Sequence, residues 1–239
     1  MEIAGFEAFI SRGAEELGIA LPSEASVSFR KYYDFLEEKG RSFNLTAITG
    51  PFEVARLHFL DSLALLNAAQ FKNKRVIDVG SGAGFPGVPI KIAEQSVDLT
   101  LLDATGKRVD FLSELCSSLN LDAVCVLARA EDKAHEADMR EKYDIAVSRA
   151  VARLNVLCEL CLPFVRVGGI FIAMKGVDSP DEIEEARGAI ATLGADHTDF
   201  FDYCLPGADI THRAVLINKT SETPDKYPRR FPKIKKAPL

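Results

Sequence analysis

The sequence predicts a mixed α/β protein: a small helical region, then a seven-stranded, mainly parallel sheet covered by helices on both faces and closed by an antiparallel hairpin. Three observations lead there. Helical periodicity fills residues 1–70. From Lys74 onward, short apolar runs alternate with helical patterns. The last two apolar runs follow one another with no helix between them. Runs that are apolar on both faces, each followed by a helix, are what parallel strands buried between helical layers require.

Taken in order, Phe6, Phe9, Ile10 and Leu17 recur at helical spacing, and Pro22-Ser23 punctuates the chain. Val27 to Lys39 forms a second helical segment with Phe29, Tyr32, Tyr33, Phe35 and Leu36 on its apolar face and Gly40 as its stop. A loop through Ser42 to Thr46 precedes a third helix that begins near Pro51 and carries Val54, Leu57, Phe59, Leu60, Leu63, Leu65 and Leu66. Strands are expected at Arg75–Val79, Asp98–Leu102, Ala123–Leu127, Asp144–Val147 and Gly169–Met174, with helices starting near Pro86, Gly106, Glu131, Arg153 and Asp181. His197–Cys204 and Arg213–Lys219 supply the hairpin. The expected organisation is a helical region over residues 1–70, an α/β domain over 71–222, and a basic tail over 223–239 packed on or beside it.

The 239 residues are 47% hydrophobic and 27% charged, enough chain to bury a core without metal or disulfide staples. No apolar run approaches the ~20 residues of a membrane span. The opening Met1-Glu2-Ile3-Ala4-Gly5 has neither the basic nor the apolar region of a signal peptide, and the five cysteines are an odd, scattered set. A soluble, cytoplasmic, monomeric protein with no membrane association is expected. The net charge of −6 conceals an asymmetry. Residues 225–239 hold six cations and one acid, leaving 23 cations against 34 acids elsewhere. Pro224, Pro228, Pro232 and Pro238 forbid a continuous helix there. A frayed solvated tail and a phosphate-binding arm are both consistent with that pattern.

The strongest local signal is Val76-Ile77-Asp78-Val79-Gly80-Ser81-Gly82-Ala83-Gly84-Phe85-Pro86-Gly87, where the first strand hands over to a helix. Glycines there permit positive φ and let backbone approach a ligand. Gly82, Gly84 and Gly87 also match the dinucleotide pattern literally, so a nicotinamide cofactor remains open. Two features favour S-adenosylmethionine. Asp78 places a carboxylate before the glycines, unsuited to a pyrophosphate but suited to a cationic amino-acid moiety, and Gly80, Gly82 and Gly84 alternate directly off the strand. Asp103, ending the second strand, can accept hydrogen bonds from ribose hydroxyls or cap the next helix. Ala130 and Glu131 follow the third strand, beside the expected adenine site. Arg149 ends the fourth strand and Lys175 the fifth, at the carboxyl edge where open α/β sheets bind ligands.

Together these residues resemble the bacterial 16S ribosomal RNA guanine-N7 methyltransferases, also called the glucose-inhibited division protein B family. The resemblance is carried, in family order, by Asn44-Leu45-Thr46, His58-Phe59-Leu60-Asp61-Ser62-Leu63, the glycine loop through Gly87, Arg129-Ala130-Glu131, Ser148-Arg149-Ala150, Met174-Lys175-Gly176 and Tyr227-Pro228-Arg229. It departs from the family pattern at Asp103-Ala104-Thr105-Gly106-Lys107 and at Arg230-Phe231-Pro232. The resemblance implies a class I methyltransferase (Rossmann-like) fold, S-adenosyl-L-methionine as cofactor with contacts at Gly80, Phe85, Ala130, Glu131 and Arg149, and 16S ribosomal RNA or the small ribosomal subunit as partner. Asn44, His58, Lys175 and Arg229 are the expected RNA contacts. A small-molecule methyltransferase, an NAD-dependent oxidoreductase and a non-enzymatic RNA-binding assembly factor are the competing readings.

Guanine N7 has a lone pair and no proton, so attack on a sulfonium methyl needs no general base. Consistently, the sequence offers no catalytic dyad, and Arg149 is the nearest candidate for a catalytic residue. A cation pressed on N7 would oppose the transfer, so Arg149 is expected on the cofactor side or on a phosphate. His58 and Asp61 lie three apart on one helix and are candidates for a mutual hydrogen bond. No metal site is expected. Cys158-x-x-Cys161 has no second pair, His135, His197 and His212 have no ligand spacing, and Tyr32-Tyr33 suits a core better than a base-stacking platform.

Overall fold

The computed structural model describes residues 3–40, 45–46, 48–149, 152–176, 180–208 and 211–239. Seven strands form one sheet: β1 Arg75–Val79, β2 Asp98–Asp103, β3 Ala123–Leu127, β4 Tyr143–Arg149, β5 Val165–Gly176, β6 Ala195–Cys204 and β7 Thr211–Lys219. Their spatial order is β3-β2-β1-β4-β5-β7-β6. The first five pair in parallel, with Val76 opposite Leu99 on one side and Ile145 on the other. β7 runs antiparallel between β5 and β6, Ile172 facing Leu216 and Phe200 facing Val215. The expected strands are therefore all present, each within a few residues of its expected bounds, because continuous apolar runs mark strands that are covered on both faces.

Period-two alternation along each strand divides the interior into two layers. Val76, Leu99, Leu101, Ile145, Val147 and Ile172 face one layer, which also contains Phe6, Ile10, Phe29, Tyr32 and Phe59 from the N-terminal helices. Ile77, Val79, Leu102, Ala146, Phe171 and Val215 face the other, with Leu157, Leu160 and Ile190 from the later helices. Helices α1 (Ile3–Glu16) and α2 (Ala25–Gly40) thus cover one face of the sheet and share its core. At the other end, Tyr227 and Ile234 of the tail are buried in the second layer, and Phe231–Lys236 forms a short helix.

The third helix, residues 51–67, is not uniform. Its turns at Pro51–Val54 and Asp61–Ala64 are α-helical, but Ala55–Leu60 between them is a π-turn, in which the Asp61 N–H donates to the Arg56 carbonyl five residues back. Such insertions occur chiefly at functional sites. Residues 58–65 are all buried, so this helix is enclosed on every side, with its polar members His58, Asp61 and Ser62 inside the protein. Sequence periodicity marks the helix but not the extra residue in its turn.

Candidate functional site: the crevice between β1 and β4

The strand order reverses between β1 and β4, and the crevice beyond their carboxyl ends is where an open parallel sheet leaves room for a ligand. The glycine loop occupies this point. Gly80, Gly82 and Gly84 all have positive φ. At Gly84 a side chain is excluded twice, since φ is +100° and a Cβ would sit 2.6 Å from the Tyr32 hydroxyl. That hydroxyl donates to the Ala83 carbonyl at 2.5 Å, tying the loop to α2. The Gly80 N–H donates to the Leu102 carbonyl and the Gly82 N–H to Asp103 Oδ2, so the loop is fastened to the end of β2.

Two cavities open on either side of the loop. The larger, about 600 Å³, lies under the third helix and is walled by Thr46, His58, Gly82, Phe85 and Arg149 among others. The smaller, about 200 Å³, lies beyond the ends of β2 and β3 and is lined by Asp103, Ala130, Glu131, Leu160 and Phe231 among others. Gly80 and Arg108 line both, so the two are halves of one crevice. Carboxylates with apolar walls at one end suit a nucleoside, whose ribose hydroxyls seek acceptors and whose base seeks a nonpolar slot.

Phe85 organises the larger half. His58 stacks on its ring at 4.6 Å between centroids, Tyr32 at 5.3 Å, and the Arg149 guanidinium lies 4.8 Å from its centroid. His58 Nε2 meets Thr46 Oγ1 at 2.7 Å, and Nδ1 lies 3.0 Å from the Leu57 carbonyl. Burial, with Arg149's charge adding to it, pushes the His58 imidazolium down to about 4, so the ring is neutral at physiological pH.

Arg149 is held from behind. Its Nη1 donates to the Leu57 carbonyl at 3.2 Å and to Asp61 Oδ2 at 3.4 Å. Asp61 is itself a junction, for Oδ1 accepts the Tyr203 hydroxyl at 2.8 Å and contacts His212 Nδ1 at 2.9 Å. The hydrogen bond to the buried carboxylate raises the His212 pKa, and burial raises that of Tyr203. Asp61 therefore pairs with the terminal hairpin and with Arg149, and no bond joins it to His58. Sequence reading found Asp61 as part of a motif but missed Tyr203 and His212, whose separation from it in the chain leaves no local signal.

The structure distributes the remaining expected residues unevenly. Gly80, Gly82, Phe85 and Arg149 wall the larger half, and Asp103, Ala130 and Glu131 the smaller, so these seven converge on one crevice. Asp103 does more than either expectation for it: Oδ1 accepts the Thr105 N–H at the next helix start while Oδ2 accepts Gly82. Asp78, expected to meet the cofactor, instead lies fully buried beneath the loop. Its Oδ2 accepts the Gly87 N–H at 2.8 Å and its Oδ1 has no partner. Burial pushes its carboxyl up to about 7. Gly84 packs against Tyr32, and its part in the site is to shape the loop.

The expected RNA contacts are corrected in two places. Lys175 Nζ is spent on Glu182 at 2.8 Å and on the Ala152 carbonyl at 2.7 Å. Arg229 clasps Glu159, whose side chain is completely buried, through its backbone N–H, Nε and Nη2 at 2.8, 2.8 and 2.6 Å. Its charge is thus met inside the protein. His58 walls the cavity as expected, and Asn44 lies outside the described residues. Cys158 and Cys161 are buried neighbours on helix Leu154–Cys161, and Tyr32 is core.

Comparison with known proteins now bears on this geometry. The model of the GidB family, rRNA small subunit methyltransferase G, matches residues 26–205. The chain belongs to this family. The ribosomal RNA small subunit methyltransferase G of Alkaliphilus oremlandii is 47% identical over 96% of this chain and 97% of its own length. That of Acetivibrio thermocellus is 46% identical over 95% and 94% respectively. Among solved structures, a predicted O-methyltransferase from Agrobacterium tumefaciens superposes with a TM-score of 0.54 at 17% identity, covering 70% of this chain and 82% of that one, a likeness of fold alone. Family membership makes the protein an S-adenosylmethionine-dependent ribosomal RNA methyltransferase, which decides the reading of the glycine loop against the dinucleotide.

Proposed function

We propose that the protein methylates N7 of a guanine in 16S ribosomal RNA, with the nucleoside of S-adenosylmethionine in the smaller half of the crevice and the guanine entering the larger half beneath His58. The observation that carries this reading is the meeting of the two halves at Gly80, which gives a nucleoside-sized slot and a substrate-sized chamber one shared wall. Asp103 and Glu131 offer acceptors to hydroxyl and amino hydrogens, while the Gly80–Gly82 backbone allows close approach. When bound, the cofactor supplies an electrophilic methyl group.

The protein's own task is placement. N7 is already nucleophilic, and among the described residues no side chain in the larger half is positioned as a general base: His58 is neutral but engaged with Thr46. Alignment of two reactants in a fixed pocket can supply on the order of 7–11 kcal/mol of a barrier. Arg149, drawn back onto Asp61 and the Leu57 carbonyl, keeps its charge off the attacking nitrogen. Phe85 and His58 form a flat stacked pair suited to an unpaired base, and in A-form RNA the N7 edge is out of reach unless the base is extruded. Phosphate contact falls to the tail cations that remain exposed, Lys226, Arg230, Lys233, Lys235 and Lys236.

The deciding experiment maps N7-methylguanine in 16S ribosomal RNA incubated with the protein and S-adenosylmethionine. A single modified guanine is expected, and modification at another base atom would overturn the reading. His58→Ala should lower methylation at least tenfold with little change in S-adenosylhomocysteine affinity. Equal loss of both would remove His58 from the guanine side.

A further inference from the structure

The tail carries an aromatic residue, Phe231, between Arg230 and Pro232. Phe231 lines the smaller cavity, together with Leu160, Asp103, Ala130 and Glu131. The segment that delivers it is fastened at several places. Arg229, two residues before Phe231, grips the buried Glu159, which adjoins Leu160. The His135 ring contacts the Pro228 carbonyl at 2.9 Å. Arg140 donates to the Thr223 and Tyr227 carbonyls at 2.7 and 2.9 Å. Tyr227 and Ile234, on either side, are anchored in the second core layer.

These fastenings are not scattered over the protein. Glu159 sits on the helix that contributes Leu160 to the cavity, and His135 closely follows the turn Ala130–Lys133 that contributes Ala130 and Glu131. Two of the fastenings thus lie on or beside the elements that contribute Leu160, Ala130 and Glu131 to the smaller cavity, and Phe231 joins them in its lining. An aromatic ring in one cavity with acceptor side chains suits a purine nucleoside: the ring packs on a flat base while carboxylates take hydroxyls.

We propose that the C-terminal segment is a component of the nucleoside site, with Phe231 as its outer aromatic wall and the Arg229–Glu159 pair as the clasp that positions it. This rests on the smaller cavity holding the nucleoside of the methyl donor. It assigns the tail a role at the cofactor in addition to any contact its lysines make with RNA.

The test is calorimetric titration of S-adenosylhomocysteine and of 5′-methylthioadenosine, which carries only the nucleoside end, into the full-length protein and into Phe231→Ala, Phe231→Tyr and a Lys233→Gln/Lys235→Gln control. Thermal unfolding without ligand checks that each variant is folded. Phe231→Ala is expected to weaken both ligands about tenfold, Phe231→Tyr to restore most of the affinity, and the lysine control to bind both as the parent does. S-adenosylhomocysteine should also protect the Lys233–Lys236 stretch from trypsin in the parent and not in Phe231→Ala. Unchanged affinity of folded Phe231→Ala for both ligands overturns the inference while leaving the reaction intact. Failure of the parent protein to bind either ligand overturns the reading of the cavity itself.

Discussion

Two buried side chains within the crevice region titrate in opposite senses. His58 holds its imidazole near 4, so between there and 6.5 the unfolded chain takes up a proton that the folded one refuses, and stability falls as pH drops through that window. Asp78 holds its carboxyl near 7 against an ordinary 3.8, so the folded state keeps a proton that the unfolded one releases, and stability falls as pH rises through that window. The effects are roughly 3 kcal/mol for His58 and roughly 4 kcal/mol for Asp78 at full extent. Their contributions largely cancel in the parent. Denaturant unfolding from pH 4 to 7 should therefore show, relative to the parent, a stability that declines with rising pH in His58→Gln and one that climbs in Asp78→Asn. Two curves parallel to the parent's would remove both groups from the account. Asp61 acts through another residue. Asp61→Asn keeps the shape but loses the charge that draws back Arg149, and turnover should fall on the order of ten- to a hundredfold, as for a misplaced positioning group. Cofactor affinity should change little, and a matching loss of affinity would make the effect structural. The sequence shows why Asp61 was half legible: its motif marks the position, whereas its partners lie 142 and 151 residues away.

Among the elements, strands were readable to within a few residues because burial on both faces leaves uninterrupted apolar runs. The glycine loop was readable because positive φ at three alternating positions demands glycine. Less was visible where packing overrides pattern. The segment after β3 is a single helical turn at Ala130–Lys133, since the chain must leave it quickly to wall the cavity. The tail's charge and prolines left a frayed tail and a phosphate-binding arm both open, for charge says nothing about Glu159, a buried acid in need of a cation. Arg229→Ala strands that carboxylate, and loss of about 3–5 kcal/mol of unfolding free energy is expected. Adding Glu159→Gln should recover a substantial part of it, as seen in chemical denaturation. A double variant no more stable than the single one would mean that the pair matters through packing alone.

On the scale of the whole molecule, the alternation of strands and helices made a parallel sheet legible, whereas the spatial order of its strands comes from the structure, because right-handed crossovers allow more than one doubly wound order. The expected boundary near residue 70 corresponds to a change in local grammar, while one core on that face of the sheet includes residues from Phe6 to Ala214. Charge, too, is arranged globally. The exposed tail lysines stand on an otherwise acidic chain, so RNA must be gathered by a local patch. Lys233→Gln/Lys235→Gln should weaken RNA binding and reduce the slope of log affinity against log salt by about 1–2, most of the change being independent of RNA sequence. An unaltered slope would make those lysines bystanders.

The junction at Asp61 joins the first quarter of the polypeptide to its last two strands. During synthesis, which runs from the amino end, the carboxylate emerges long before Tyr203 and His212 exist to meet it. The guanidinium it steadies is likewise without its full setting until the final hairpin has folded back.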